Sequence, residues 1–181
     1  MIDTHCHILP ELDDGPTTWD ESIAMAQRAA QDGISHIIAT PHYKKGIYEN
    51  TGNSILQQVD LLNQLLIKND ISLTVLPGCE ISLYEDMLKD ILDRKVLTLN
   101  HSPYVLIELP GEIRISHQLE DTFFNLQLKG FIPIIAHIER CIDFYHHFDR
   151  LIKWVDRGID RVDVVARIPI RLVRAHARAV H

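Results

Sequence analysis

The sequence predicts an α/β protein: a mostly parallel sheet or barrel wound from repeated strand–helix units. Three observations carry this. Short apolar, β-rich runs recur at roughly thirty to forty residues, about the length of a βα unit. Amphipathic segments with helix punctuation separate them. Each run is closed by a single imidazole or carboxylate.

The first run is "MIDTHCHILPELDDG". Strand geometry sends alternate side chains to opposite faces, so Asp3, His5 and His7 line one face, while Ile2, Thr4, Cys6 and Ile8 line the other. A strand buried in a parallel sheet is normally apolar on both faces. This one gives a face to polar groups, as either the wetted side of an edge strand or a pair of metal ligands. Thr17 or Thr18 then caps a helix through "TTWDESIAMAQRAAQDG", which Gly33 stops. "HIIATPH" is apolar through Ile37 and Ile38 and ends in His42. "NSILQQVDLLNQLLIKND" carries Ile55, Val59, Leu62 and Leu66 at helical spacing. "LTVLPGCE" ends in Glu80, and "SLYEDMLKDILDRK" places Leu83, Met87 and Ile91 on one side. "YVLIELPG" runs through Val105, Leu106 and Ile107 to Glu108. "SHQLEDTFFNLQLKG" and "HHFDRLIKWVDRG" repeat the helical design up to Gly130 and Gly158, and between them "FIPIIAH" ends in His137. The helical stripes are expected to pack on the sheet.

Composition narrows the function classes. The 181 residues suit one domain with a proper core, and the net charge of -7 argues against a nucleic-acid surface. No apolar run reaches membrane-span length, and the N-terminus lacks the basic-then-apolar pattern of a secretory signal. Cys6, Cys79 and Cys141 are scattered and form no Cys-x-x-Cys pair. A disulfide framework or zinc knuckle is not expected, and a reducing cytoplasm fits best.

Ligand sites in parallel α/β folds gather at the carboxyl ends of strands. His5, His7, His42, Glu80, Glu108 and His137 all fall at or near such ends, which points to metal binding. Mixed imidazole and carboxylate donors without thiolate suit manganese, iron or zinc. Several carboxylates allow bridging between two or three ions, a pattern that clamps a phosphoryl group and activates water. Arg140, three residues after His137 in "AHIERC", is placed to steady charge on phosphate oxygens. In "ELDDG", Asp13, Asp14 and Gly15 serve equally well as a turn or as a ligand source.

Together, "MIDTHCHILPELDDGP", "IIATPHY", "LPGCEI", "YVLIELP" and "IIAHIER" closely resemble the polymerase-and-histidinol-phosphatase (PHP) family. Within it they resemble the bacterial manganese-dependent protein-tyrosine phosphatases encoded with capsule and exopolysaccharide genes. The resemblance covers roughly residues 1 to 155 and implies a PHP-type distorted β/α barrel holding two or three Mn²⁺ ions. It implies a cytoplasmic enzyme that removes phosphate from a tyrosine kinase controlling polysaccharide export. His5 and His7 resemble ligands of a first metal, with Glu80 bridging to a second. Glu108 and His137 resemble second-metal ligands, and Asp14 and His42 would serve a third. Arg140 resembles the arginine of the family's "AHPER" motif, expected to contact phosphate. The implied reaction is direct attack on phosphorus by hydroxide from the metal cluster, without a phospho-enzyme. In keeping with that, no cysteine here has the Cys-x5-Arg spacing of cysteine-dependent phosphatases.

The sequence departs from the family twice. Ile138 stands where proline is usual. The family also continues to a final "SDAH"-type motif that completes the first and third metal sites, and this chain, ending at His181, lacks it. The expected barrel is therefore incomplete at its C-terminus. Residues 156–181 form an atypical Arg-rich tail with no recognisable strand closed by a ligand, resembling a reading-frame change or degenerate end. Nothing in the spacing of His176 and His181 marks them as replacements. Alternative readings are a catalytically defective relative with partial metal binding, and a PHP phosphatase acting on small esters such as histidinol phosphate.

Overall fold

The computed structural model describes residues 1–110, 116–141, 143 and 148–162. The elements in chain order begin with β1 (Ile2–Cys6), α1 (Trp19–Gln31), β2 (His36–Ala39), β3 (His42–Lys44), β4 (Tyr48–Glu49) and α2 (Gly52–Lys68). They continue with β5 (Thr74–Pro77), β6 (Glu80–Ser82), α3 (Met87–Leu92), β7 (Tyr104–Glu108) and α4 (His117–Leu128). The last three are β8 (Ile132–Ala136), α5 (Phe148–Asp156) and β9 (Asp160–Val162).

A three-stranded sheet has the order β1-β2-β5, and a six-stranded sheet the order β4-β3-β6-β7-β8-β9. All pairings are parallel except the β3–β4 hairpin. Since β3 resumes the path of β2 and β6 that of β5, successive units lie side by side in chain order. That is the singly wound arrangement expected of βα repeats.

The sequence shows "HIIATPH" and "LTVLPGCE" as single strands ending in His42 and Glu80. The structure corrects this: each run breaks, and His42 and Glu80 are the first residues of the strands that resume. Pro41 has no N–H to give a ladder. Its carbonyl instead accepts from the Glu80 N–H at 3.1 Å, while the Thr40 N–H donates to the Cys6 carbonyl at 2.9 Å. The second break centres on Gly78, where a Cβ would lie 2.7 Å from Ile38 Cγ2 and 3.1 Å from the Ala39 carbonyl oxygen. Any side chain there would have to push a neighbouring strand aside.

The helices follow their sequence signals. Thr18, not Thr17, caps α1 in a full capping box with Glu21. The Ile55, Val59, Leu62 and Leu66 stripe of α2 is buried. Gly33, Gly130 and Gly158, the predicted stops, all take a φ of 84°. The α4 stripe of Leu119, Phe123 and Leu126 is buried, and Phe123 meets Trp154 of α5 edge-on with ring centroids 5.1 Å apart.

Two apolar clusters result. The larger fills the space between sheet and helices. The smaller, of Ile38, Leu99, Leu106, Ile134 and Ala136 with Leu76 against it, covers the other side of the sheet. It forms the floor beneath the polar residues described next.

The hairpin partner β4 and the short β9 were not apparent in the sequence. β9 pairs with β8 and carries the sheet to Val162, into the Arg-rich stretch where the sequence shows no strand closed by a ligand. Residues 163–181, with His176 and His181, lie outside the described residues. No helix among the described residues is long and apolar enough to cross a membrane.

Candidate metal centre

In-register partners on adjacent strands project to the same face of a sheet. His42 pairs with Glu80, Glu80 with Leu106, and Glu108 with Ser82 and Ala136. His42, Glu80 and Glu108 therefore share the face floored by the smaller apolar cluster. His5 reaches the same space from β1 and His7 from just beyond it. β1 does not keep a clean alternation: its register slips between Asp3 and Cys6, and Ile2 is exposed rather than buried. His137 follows β8 in a left-handed conformation, φ 49° and ψ 41°, that turns the chain into a single 3₁₀ turn through Arg140. A non-glycine residue held there is a local cost of a kind that collects at functional sites.

Glu80 is the hub. It is fully buried, and four imidazoles surround its carboxylate. Oε2 lies 3.1 Å from His5 Nε2, 3.0 Å from His7 Nε2 and 3.3 Å from His42 Nδ1, and Oε1 lies 3.6 Å from His137 Nε2. Glu108 is 3.8 Å from His42 Nδ1, and Asp14 lies 3.7 Å from His7 Nδ1 and 3.8 Å from His42 Nε2. The seven residues singled out as ligands thus meet in one place. Their donor atoms form three overlapping sets within 4.8 Å: His5, His7 and Glu80; His7, Asp14 and His42; and His42, Glu80 and Glu108. His137 stands beside His5, ring centroids 5.0 Å apart. Burial lowers the His137 pKa below the ordinary histidine value; the Glu80 charge opposes this, and the charge of the exposed Arg140 adds a smaller push downward.

Buried carboxylates need compensating charge. Among the described residues, the buried side chains of Asp13 and Glu80, the part-buried Glu108 and the exposed Asp14 find ion-pair partners only in histidines, never in lysine or arginine. In the metal-free arrangement a proton supplies the charge. Burial alone would lower the His7 pKa, but hydrogen bonds to Asp13 and Glu80 overcome that and raise it to about 10. Burial likewise pushes the Glu80 carboxyl upward, and hydrogen bonds from His5 and His7 outweigh it and hold the group ionised. His5 Nδ1, His42 Nδ1, His137 Nδ1 and Glu80 Oε1 are buried without hydrogen-bond partners. Unsatisfied donor atoms around a shared carboxylate, and no thiolate among them, fit a cluster of borderline divalent cations. The cysteines stay out of the chemistry: burial pushes Cys6 up to about 12, Cys141 up to about 11 and Cys79 higher still. None is a thiolate nucleophile at neutral pH.

Several supporting residues surround the cluster: Asp13 and Gly15, read from the sequence as turn or ligand source, and others that the sequence did not single out. Asp13 accepts from His7 Nδ1 at 2.6 Å and from the backbone N–H groups of His42 at 2.8 Å and Gly15 at 2.9 Å. It therefore orients two of the candidate ligands. Gly15 is needed because a Cβ there would lie 2.7 Å from the His7 carbonyl oxygen. "DDG" is both turn and site: Asp13 and Gly15 shape it, and Asp14 faces the histidines. Asn50 Nδ2 ties the Leu12 and His42 carbonyls at 2.7 and 2.8 Å, and Tyr48 stacks on His42 at 6.0 Å. Ser82 Oγ donates to Glu108 Oε2 at 2.9 Å. Both oxygens of Glu139 are buried without a hydrogen bond, one of them 3.8 Å from His137 Nδ1. Of these, only the Asp-Asp-Gly triplet left a signal in the sequence.

Fold and site together define an α/β protein built around an imidazole–carboxylate cluster able to hold metal. The comparisons with known proteins agree. The chain belongs to the capsular polysaccharide synthesis family CpsB/CapC, which matches residues 1–166. It is 45% identical over 158 residues to the tyrosine-protein phosphatase YwqE of Bacillus subtilis, covering 87% of this chain and 62% of that protein. It is 33% identical over 159 residues to the putative tyrosine-protein phosphatase CapC of Staphylococcus aureus, with the same 87% and 62% coverage. A solved structure described as YwqE from Bacillus subtilis and CpsB from Streptococcus pneumoniae, "unique metal-dependent tyrosine phosphatases", superposes with a TM-score of 0.84 at 44% identity. That match covers 89% of this chain and 65% of the other. The chain thus spans about 62% of the length of the curated relatives it matches first.

Proposed function

We propose that this protein hydrolyses phosphotyrosine in a metal-dependent reaction, acting in the cytoplasm on the tyrosine kinase that governs capsular or exopolysaccharide synthesis. One observation carries the reading above the others: the buried Glu80 carboxylate with four imidazoles at 3.0 to 3.6 Å and, among the described residues, no lysine or arginine to balance it. The names of the relatives and the family's role in capsule synthesis support the substrate and setting.

His5 and His7 with Glu80 would hold one ion. Glu80, Glu108 and His137 would hold a second, and Asp14 and His42 a third; manganese is the preferred metal, with iron or zinc as substitutes. Bound there, such ions act as Lewis acids on phosphoryl oxygens and supply hydroxide near neutral pH. The chain's own residues do the rest. Asp13 holds His7 in the tautomer that presents Nε2 to the cluster, and the apolar floor beneath keeps water from the far side. Arg140, exposed at the mouth, offers a bidentate cation to the phosphate oxygens.

Phosphate release from a phosphotyrosine peptide, with added manganese, tests the proposal. The expected result is turnover that disappears in His7→Ala and Arg140→Ala. A properly folded chain that takes up no manganese, iron or zinc under saturating supply would overturn it.

A further inference from the structure

Beside the metal centre, a cavity of about 370 Å³ opens between β3, β6 and the end of β7. Glu108 lies in both the cavity and the cluster. Strand alternation explains the adjacency. Lys44 is two residues beyond His42 and Ser82 two beyond Glu80, so both stand on the face of the cluster, one step nearer the carboxyl edge. The walls beyond are apolar, from Leu109 and Pro110.

The cavity is electrically polarised. Its inner end carries the Glu108 carboxylate, tied to Ser82. Its outer end carries Lys44 and Lys45. Lys44 has no ion-pair partner among the described residues. Lys45 sits 5.6 Å from the Tyr84 ring centroid and 3.4 Å from Asp86 Oδ2, an exposed pair that an incoming anion can exchange at little cost. On a chain of net charge -7, two adjacent lysines over a cavity contiguous with the centre stand out from their surroundings.

We propose that this cavity is a substrate subsite that takes a second anionic side chain of the peptide, close in sequence to the phosphotyrosine. The proposal rests on the phosphotyrosine reading of the centre and deepens it. A phosphate placed at the cluster leaves the tyrosyl ring to pass over Glu108 and along the apolar wall. The neighbouring residue then arrives under Lys44 and Lys45. A carboxylate and a second phosphotyrosine offer the same chemistry here. The test separates them.

The test is equilibrium binding of fluorescein-labelled phosphotyrosine peptides to the manganese-loaded chain, read by anisotropy at low ionic strength. Three peptides are compared: one with neutral neighbours, one with a neighbouring glutamate and one with a second phosphotyrosine. Each anionic neighbour is expected to tighten binding about fivefold, more for the dianionic phosphate than for glutamate. That advantage should vanish in the double variant Lys44→Gln, Lys45→Gln, persist in Lys44→Arg, Lys45→Arg, and fade at high salt. Equal binding of all three peptides would overturn the subsite, as would an advantage that survives the glutamine variant. A gain with only one of the anionic peptides identifies the anion the subsite takes. Hydrolysis followed in parallel keeps the two proposals apart: peptides bound with this preference but never hydrolysed would sink the phosphatase reading and leave the subsite standing.

Discussion

Two rows of side chains cross the same four strands one residue apart. Tyr43, Ile81, Ile107 and Ile135 are in register, fully buried, and packed toward the helices. The neighbouring row begins His42, Glu80 and continues through Leu106 to Ile134, with Glu108 one step on. The first row stabilises the fold by transfer from water and close packing, about 1.5–3 kcal/mol for each large side chain. The second works against it, since an ionised carboxylate taken out of water costs several kcal/mol unless positive charge meets it. The contrast teaches that stability and chemistry are allotted to opposite faces of one sheet. Losses on one face should therefore leave the other largely intact.

The largest expected effect is on the apolar face. Ile107→Ala should cost about 2–5 kcal/mol in denaturant unfolding, while the folded fraction keeps its metal affinity. If metal affinity fell in proportion, the two faces would not be separable. On the polar face, Glu80→Gln should cut metal uptake about a hundredfold or more and abolish the proposed phosphatase activity, measured by metal analysis and phosphate release. Its metal-free stability should change far less than that of the isoleucine variant. A glutamine variant as unstable as Ile107→Ala would make Glu80 a structural residue.

Asp13→Asn comes next. It keeps the shape of the turn but weakens its hold on His7, and should lower metal affinity about 10–100-fold, readable by titration. A pH titration sharpens the contrast further. The His7 pKa is raised from 6.5 to about 10, so the bound proton stabilises the metal-free fold fully below the unfolded value and loses that contribution as pH rises toward 10. Metal-free protein should thus lose stability across that window. Metal affinity should rise with pH by up to about tenfold per unit as the ion replaces the proton. The smallest effect expected is Ser82→Ala. Loss of its hydrogen bond to Glu108 should cost about 1 kcal/mol or less, seen as a few-fold change in metal affinity.

The fold class and most helices were legible because their signals are local and periodic: caps, glycine stops and apolar stripes. The candidate ligands were legible because imidazole and carboxylate recur at the same point of each unit. The strand breaks were not, since Pro41 and Gly78 interrupt apolar runs that read as continuous. Gly78 is required by Ile38, a residue forty positions earlier in the chain whose approach no local pattern announces. Tyr48, Asn50 and Glu139 escaped notice for a related reason: their contacts are made in space by side chains of ordinary surface type. The hairpin that brings Tyr48 to His42 rests on a strand of two residues, too short for any periodicity.

The breaks at Thr40–Pro41 and Gly78–Cys79 put His42 and Glu80 on matching rungs of neighbouring strands. Peptide ladders repeat at about 4.8 Å, a distance no side-chain substitution can retune. The polypeptide thereby serves as a ruler: exchanging donors can alter how tightly ions are gripped, but the gauge of the assembly is set by the backbone.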